Sequence, residues 1–136
     1  MFENIHEISV LVSAILAMAV GSIWYSPLLF GEHWMRAAGL TEADLESSKE
    51  KMPKLLLGGF IANLLLMFII AQFIELAQAA GKQLAAPASY LVLFLLAVMA
   101  SAVIWEKKPL SYLLINVGYA VVVVFGGMTV IWFWPW

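Results

Sequence analysis

Four long apolar runs divide the chain, and its charged residues are confined to the segments outside them. No charged residue occurs at positions 8–31, 55–74, 83–105 or 109–136. Each run matches or exceeds the ~20 residues that an α-helix needs to cross about 30 Å of hydrocarbon. The alternating short segments typical of a membrane β-barrel do not occur. The pattern therefore predicts an all-α integral membrane protein.

We expect a bundle of four transmembrane helices that forms a single membrane domain over residues 1–136. The expected spans cover approximately residues 7–26, 54–78, 87–106 and 109–133, with a loop at 27–53. Pro53, Pro87 and Pro109 stand at or beside the starts of the last three spans. Proline is tolerated there because the first N–H groups of a helix have no helical acceptor.

The 27–53 loop carries helical signals of its own. Its first part has apolar residues at Leu28, Phe30, Trp34 and Met35 and polar residues at Glu32, His33 and Arg36. This pattern predicts a short amphipathic interfacial helix after the first span, lying among the lipid headgroups. Ser26 can cap that helix with Pro27 at its first position, and Gly39 can end it. Thr41 and Asp44 have the spacing of a capping box that starts the next helix.

Basic residues are unevenly distributed between the loops. The segments after the first and third spans hold six, namely Arg36, Lys49, Lys51, Lys54, Lys107 and Lys108. The segment after the second span holds only Lys82. Short loops rich in Lys and Arg stay in the cytoplasm. We therefore predict a multi-pass protein of the cell (inner) membrane with both termini on the non-cytoplasmic side.

Composition narrows the possible partners and chemistries. Hydrophobic residues make up 64% of the chain and charged residues 12%, whereas soluble domains carry about 25% charged residues. The lipid bilayer is thus the expected partner. A net charge of −2 gives no indication of nucleic-acid binding. The absence of cysteine excludes disulfides and thiolate chemistry, and we predict no cofactor and no metal.

One stretch of sequence resembles a known family. It reads Gly-Ser-Ile-Trp-Tyr-Ser-Pro-Leu-Leu-Phe-Gly-Glu-His-Trp-Met-Arg over residues 21–36, and it contains Trp24, Tyr25, Ser26, Pro27, Phe30, Gly31, His33 and Trp34. Together with residues 106–110 and 114–119, it is similar to the DUF1761 family of small, mostly bacterial membrane proteins of unknown function. Members often carry His after the Gly-Tyr pair, where this chain has Ala120. The resemblance implies a membrane fold and transfers no activity.

Four polar residues within or near the predicted spans are candidates for a ligand site or a polar pathway. They are Asn63, Asn116, Tyr119 and Glu75. Polar groups in a membrane are costly and often functional, but interhelical hydrogen bonding also explains the asparagines, and we favour that interpretation. The second interpretation makes them packing residues. A water-filled path touching both Asn63 and Asn116 would instead favour a polar pathway.

Small residues recur at intervals of four, as at Ser13, Ala17 and Gly21 and again at Ala97 and Ser101. Such rows let helices approach closely, and we therefore expect a homo-oligomer with a structural or regulatory role. The alternative is a small transporter or channel with a polar route near the two asparagines. The sequence contains no motif of a known catalytic site, so we do not expect an enzyme. A membrane enzyme would have to use Glu32, His33 and Glu106.

Overall fold

The computed structural model describes residues 6–81, 83 and 85–134, and every regular element in this part of the chain is helical. The helices are α1 (Glu7–Trp24), α2 (Gly31–Ala38), α3 (Glu42–Ser48), α4 (Met52–Ala79), α5 (Ala85–Glu106) and α6 (Leu110–Trp132), with a 3₁₀ turn at Lys49–Lys51. Four of them, α1, α4, α5 and α6, are long and apolar enough to cross a membrane. The prediction of an all-α protein with four such helices is confirmed.

The long helices differ little in position from the expected spans. α1 stops at Trp24, two residues before the expected end. α4 has 28 residues, which corresponds to a length of about 42 Å. Lys82, the one basic residue in the segment after the second predicted span, lies outside the described residues.

Three of the long helices share the core. α1 packs against both α4 and α6, and α4 also contacts α6. α5 lies mainly along α6. The fully buried centre combines small residues of α1 with larger ones of its neighbours, namely Ala14, Met67, Ile70, Val124 and Met128. Alanine on α1 leaves room for the methionine and branched side chains opposite. α5 consequently stands at the edge of the molecule.

The start predicted for the short helix is wrong. Residues 25–30 form turns, and α2 begins at Gly31. Ser26 does not cap the helix, because its hydroxyl accepts from the N–H of Leu28 and donates to the carbonyl of Ile23. The predicted end at Gly39 is correct, since this residue adopts φ 78° and closes α2 in the left-handed conformation.

The capping box at the start of α3 forms as predicted. The Thr41 hydroxyl and N–H both donate to the Asp44 carboxylate, at 2.6 Å and 2.8 Å. These bonds stabilise the ionised carboxylate and lower the pKa of Asp44 below its usual value. The loop between α1 and α4 is therefore an ordered pair of short helices.

Candidate functional site

Two segments that are far apart in the chain meet at one end of the molecule. The residues that follow α1 contact the first turns of α6, and α2 also packs on α6. We call this region the motif junction and define it as residues 24–34 together with 112–119. Two of its side-chain hydrogen bonds join residues 91 positions apart.

Trp24 attaches the end of α1 to the α6 backbone. Its indole Nε1 donates to the carbonyl of Ile115 at 3.1 Å. Its ring occupies space left by Gly118, where an added Cβ would lie 3.0 Å from Cζ2 of the indole. Phe30, from the same segment, packs against the ring, with 4.7 Å between the ring centroids. Glycine at position 118 therefore allows the tryptophan to reach a main-chain acceptor.

Tyr25 forms the second attachment. Its hydroxyl donates to Oδ1 of Asn116 at 2.8 Å, and Nδ2 of Asn116 donates to the carbonyl of Tyr112 at 2.7 Å. The Tyr25 ring meets Trp34 edge-on at 5.3 Å and lies 5.2 Å from the Tyr119 ring. The carbonyl oxygen and the amide nitrogen of Asn116 thus each have a partner within the protein.

Tyr119 and Asn63 extend the junction toward α1 and α4. The Tyr119 hydroxyl donates to the carbonyl of Ala17 at 3.4 Å, a long contact, and it lies 3.1 Å from where a Cβ on Gly21 would be. The Asn63 side chain also reaches this hydroxyl. Its Nδ2 approaches the thioether sulfur of Met18 at 3.3 Å. The structure therefore brings Asn63, Tyr119 and, through Tyr25, Asn116 into one connected group.

Gly31 makes the tight turn of the motif possible. Its N–H donates to the carbonyl of Ser26 at 2.9 Å. A Cβ at this position would lie 2.5 Å from the Tyr25 carbonyl oxygen, which is well inside contact distance. Pro27 and His33, in contrast, are exposed and do not contribute to the attachments described above.

Lys108 holds the other end of α2. Its Nζ donates to the carbonyl of Ala38 at 2.6 Å and lies 5.9 Å from the centre of the Tyr112 ring. Ala38 is the last residue of α2, where unsatisfied carbonyls and the helix dipole favour a cation. The helix is therefore fixed at its start by the Gly31 turn and at its end by a lysine.

The other sequence candidates lie elsewhere. Glu75 is on α4, twelve residues beyond Asn63, which places it about 18 Å away along the helix. A groove of about 160 Å³ between α5 and α6 is lined by Glu106, Tyr112 and Asn116, but His33 is not among its lining residues. Among the described residues, no three His, Asp or Glu side chains are grouped closely enough to hold a metal ion.

The comparisons with known proteins decide the family. A model for a protein family of unknown function, DUF1761, matches residues 8–132, which is nearly the whole chain. The chain belongs to the DUF1761 family. The resemblance carried by the motif residues is thereby confirmed. No curated protein and no solved structure matches this DUF1761 protein significantly.

Sequence reasoning identified most members of the motif junction but not their pairing. It missed the role of Gly118, of Lys108 and of the Ile115 carbonyl, although all three lie in the segments that carried the family resemblance. Residue spacing within one segment holds no information about a partner 91 positions away. In this DUF1761 protein the junction joins α1, α2 and α6 through hydrogen bonds and aromatic contacts, and Asn63 adds α4 to it. The side-chain amides of Asn63 and Asn116 already have partners.

Proposed function

We propose that this DUF1761 protein is a non-catalytic structural or regulatory component of the cell (inner) membrane that acts as a homo-oligomer. The main support is the state of the two intramembrane asparagines. Asn116 is bonded to Tyr25 and to the Tyr112 carbonyl, and Asn63 contacts Met18. Groups that guide a solute must be free to exchange partners with it, whereas these side chains link helices and the turn after α1.

The oligomeric part of the proposal is supported by α5. Only 6% of an 18-residue apolar stretch of this helix is buried within the molecule. Ala97 and Ser101, one turn apart, are both exposed. Apolar side chains can face lipid without a partner, but small residues at this spacing favour close contact between helices. α5 thus offers surface for another copy in addition to the surface it gives to lipid.

The proposed position in the membrane follows from charge. Glu32, His33 and Arg36 are exposed on α2, close to the ends of α1 and α6, which supports a place for α2 in the headgroup region. The excess of Lys and Arg at this end of the helices supports a cytoplasmic location for it. In that orientation both termini face away from the cytoplasm.

A small transporter or channel is the second candidate, and one observation favours it. The groove between α5 and α6 reaches Asn116 and carries the Glu106 carboxylate and Tyr112 among its lining residues. Asn63 does not line this groove, so a route through it would use only one of the two asparagines. An enzyme based on His33 and Glu106 has less support, because the groove does not join them.

Reconstitution into vesicles can separate these functions. Donor-labelled and acceptor-labelled copies of the wild-type protein are expected to show energy transfer that persists when lipid is added. The same vesicles are expected to pass protons and small ions no faster than empty ones. A leak that disappears in Asn116→Leu, whose side chain lines the groove, would support the transporter instead. Energy transfer no greater than that expected for randomly distributed monomers would contradict the oligomer.

A further inference from the structure

The groove between α5 and α6 is apolar along its length and charged at one end. We call it the α5–α6 groove. Its apolar walls include Met99 and Ala102 on α5 and Leu113 on α6, and it is also lined by Glu106 and Tyr112. Glu106 is the last residue of α5, and Met99 lies seven residues earlier, which places it about 10 Å deeper along the helix. The groove thus leads from a polar mouth into an apolar interior.

The mouth of the groove faces the outside of the helix bundle. Ala102 and Glu106 are both exposed, and most of α5 is not buried within the molecule. Trp105, next to Glu106, is 84% exposed. Exposed tryptophans at the end of a membrane helix are typical of the headgroup level. The interior of the groove is therefore open to acyl chains, and its mouth is open to headgroups.

Glu106 has a local environment that disfavours a carboxylate. It ends α5, and no basic residue lies in the last turn of that helix. The C-terminus of a helix is the negative end of its dipole, where a cation is stabilised and an anion is destabilised. In the described part of the chain, Glu106 has no ion-pair partner, although Lys107 and Lys108 follow it directly. The helix end and the carboxylate together favour a cation that the described residues do not supply.

A positive group lies close to the other wall of the groove. The Nζ atom of Lys108 is 5.9 Å from the centre of the Tyr112 ring, and Tyr112 lines the groove. This ammonium donates to the Ala38 carbonyl and has further N–H groups available. The mouth therefore combines a carboxylate on α5 with an ammonium just before α6. A headgroup that carries both a phosphate and an ammonium complements this pair of charges.

We propose that the α5–α6 groove binds one phospholipid whose headgroup ends in a primary ammonium, as in phosphatidylethanolamine. The lipid ammonium donates to the Glu106 carboxylate, the phosphate lies on the Lys108 side, and an acyl chain follows Ala102 and Met99. A headgroup without an ammonium would place its negative charge beside Glu106 without compensation. The Asn116 amide, which also lines the groove, already has partners within the protein. This lipid site goes beyond the structural role proposed above and does not depend on oligomerisation.

The lipids retained by the whole protein test this site. The protein is reconstituted in vesicles of equal parts phosphatidylethanolamine and phosphatidylglycerol with the same acyl chains, extracted in mild detergent and measured by native mass spectrometry. The wild type is expected to retain phosphatidylethanolamine in preference. Glu106→Gln is expected to lower this preference about fivefold, the contribution of a strong exposed ion pair. Glu32→Gln is the control, because Glu32 is an exposed carboxylate on α2 that does not line the groove.

Filling the groove gives a second readout. Ala102→Phe is expected to abolish lipid retention, whereas Ala97→Phe, at an exposed position of α5 outside the groove, is expected to preserve it. Equal retention of the two lipids by the wild type, an unchanged preference in Glu106→Gln, or full retention by Ala102→Phe would each overturn the proposal. Energy transfer between labelled copies measures the homo-oligomer separately and should be unchanged in Glu106→Gln, so that either proposal can fail without the other.

Discussion

Gly31 shows how one residue can determine the geometry of the motif junction. A Cβ at this position would lie 2.5 Å from the Tyr25 carbonyl oxygen and 2.6 Å from the Ser26 carbonyl carbon. Both are backbone atoms and cannot rotate away as a flexible side chain can. Any other residue must therefore open the turn, and with it shift the start of α2 and the ring of Trp34.

The bond between Tyr25 and Asn116 should contribute measurably to stability. Tyr25→Phe removes the donor and leaves Oδ1 of Asn116 without its 2.8 Å partner. We expect this change to lower the free energy of unfolding by about 1 kcal/mol. In an Asn116→Leu background the same change should cost less, with a coupling of about 0.6 kcal/mol. Reversible unfolding in mixed detergent micelles measures the free energy of unfolding of the wild type, the two single variants and the double variant.

Tyr90→Phe is the matched control for that cycle, because Tyr90 is 71% exposed on α5. It should leave the free energy of unfolding unchanged. Additive effects of Tyr25→Phe and Asn116→Leu would contradict an energetic link between the two side chains.

At the scale of elements, α2 is held at both ends, and its C-terminal attachment can be removed separately. Lys108→Met deletes the bond to the Ala38 carbonyl while keeping an apolar stem of similar length. We expect faster amide hydrogen exchange in the last turn of α2 and little change in α6. Hydrogen exchange followed by mass spectrometry reports both segments.

Lys107→Met is the control for this variant, since Lys107 is the exposed neighbour and makes no described contact with α2. Equal exchange in the two variants would mean that the Lys108 bond does not hold the helix. A general acceleration throughout α6 would instead indicate that Lys108 supports the whole fold.

The elements differ in how far sequence could predict them. The long helices were predictable because each apolar run is itself the local cause of the helix and of its length. The Thr41–Asp44 capping box was predictable for the same reason, since both partners lie within one turn. The start of α2 was not, because Ser26 can cap a helix or a turn, and the choice depends on the close approach of Gly31 to residues 25 and 26.

The residues of the candidate site also differ in how far the sequence could predict their roles. Asn63, Asn116 and Tyr119 were recognisable as polar residues in apolar runs. The structure links Asn116 to Tyr119 through Tyr25, and Asn63 contacts Met18. Their partners come from other helices, so nothing near them in the sequence distinguishes a packing residue from a pathway residue. Glu75 is also a polar residue near an apolar run, but it lies far from the other three residues, twelve positions beyond Asn63 on α4.

At the scale of the whole molecule, the two ends of the long helices differ in chemistry. The motif junction, α2, α3 and the Lys49–Lys51 turn are all at the end where α1 and α5 finish and α4 and α6 begin. The end with the motif junction is joined by hydrogen bonds and carries six of the seven basic residues. The side of the membrane on which it lies therefore tests the predicted orientation.

Single cysteines can determine that orientation. Ser47→Cys in α3 and Gln83→Cys between α4 and α5 are both at exposed positions in a chain without other thiols. Because Lys- and Arg-rich short loops stay in the cytoplasm, a membrane-impermeant maleimide should label only Gln83→Cys in right-side-out vesicles and only Ser47→Cys in inverted ones. The reverse pattern would place the motif junction outside the cell. Labelling of both in the same sealed vesicles would mean that copies insert in opposite orientations, and the prediction of a single topology would then fail.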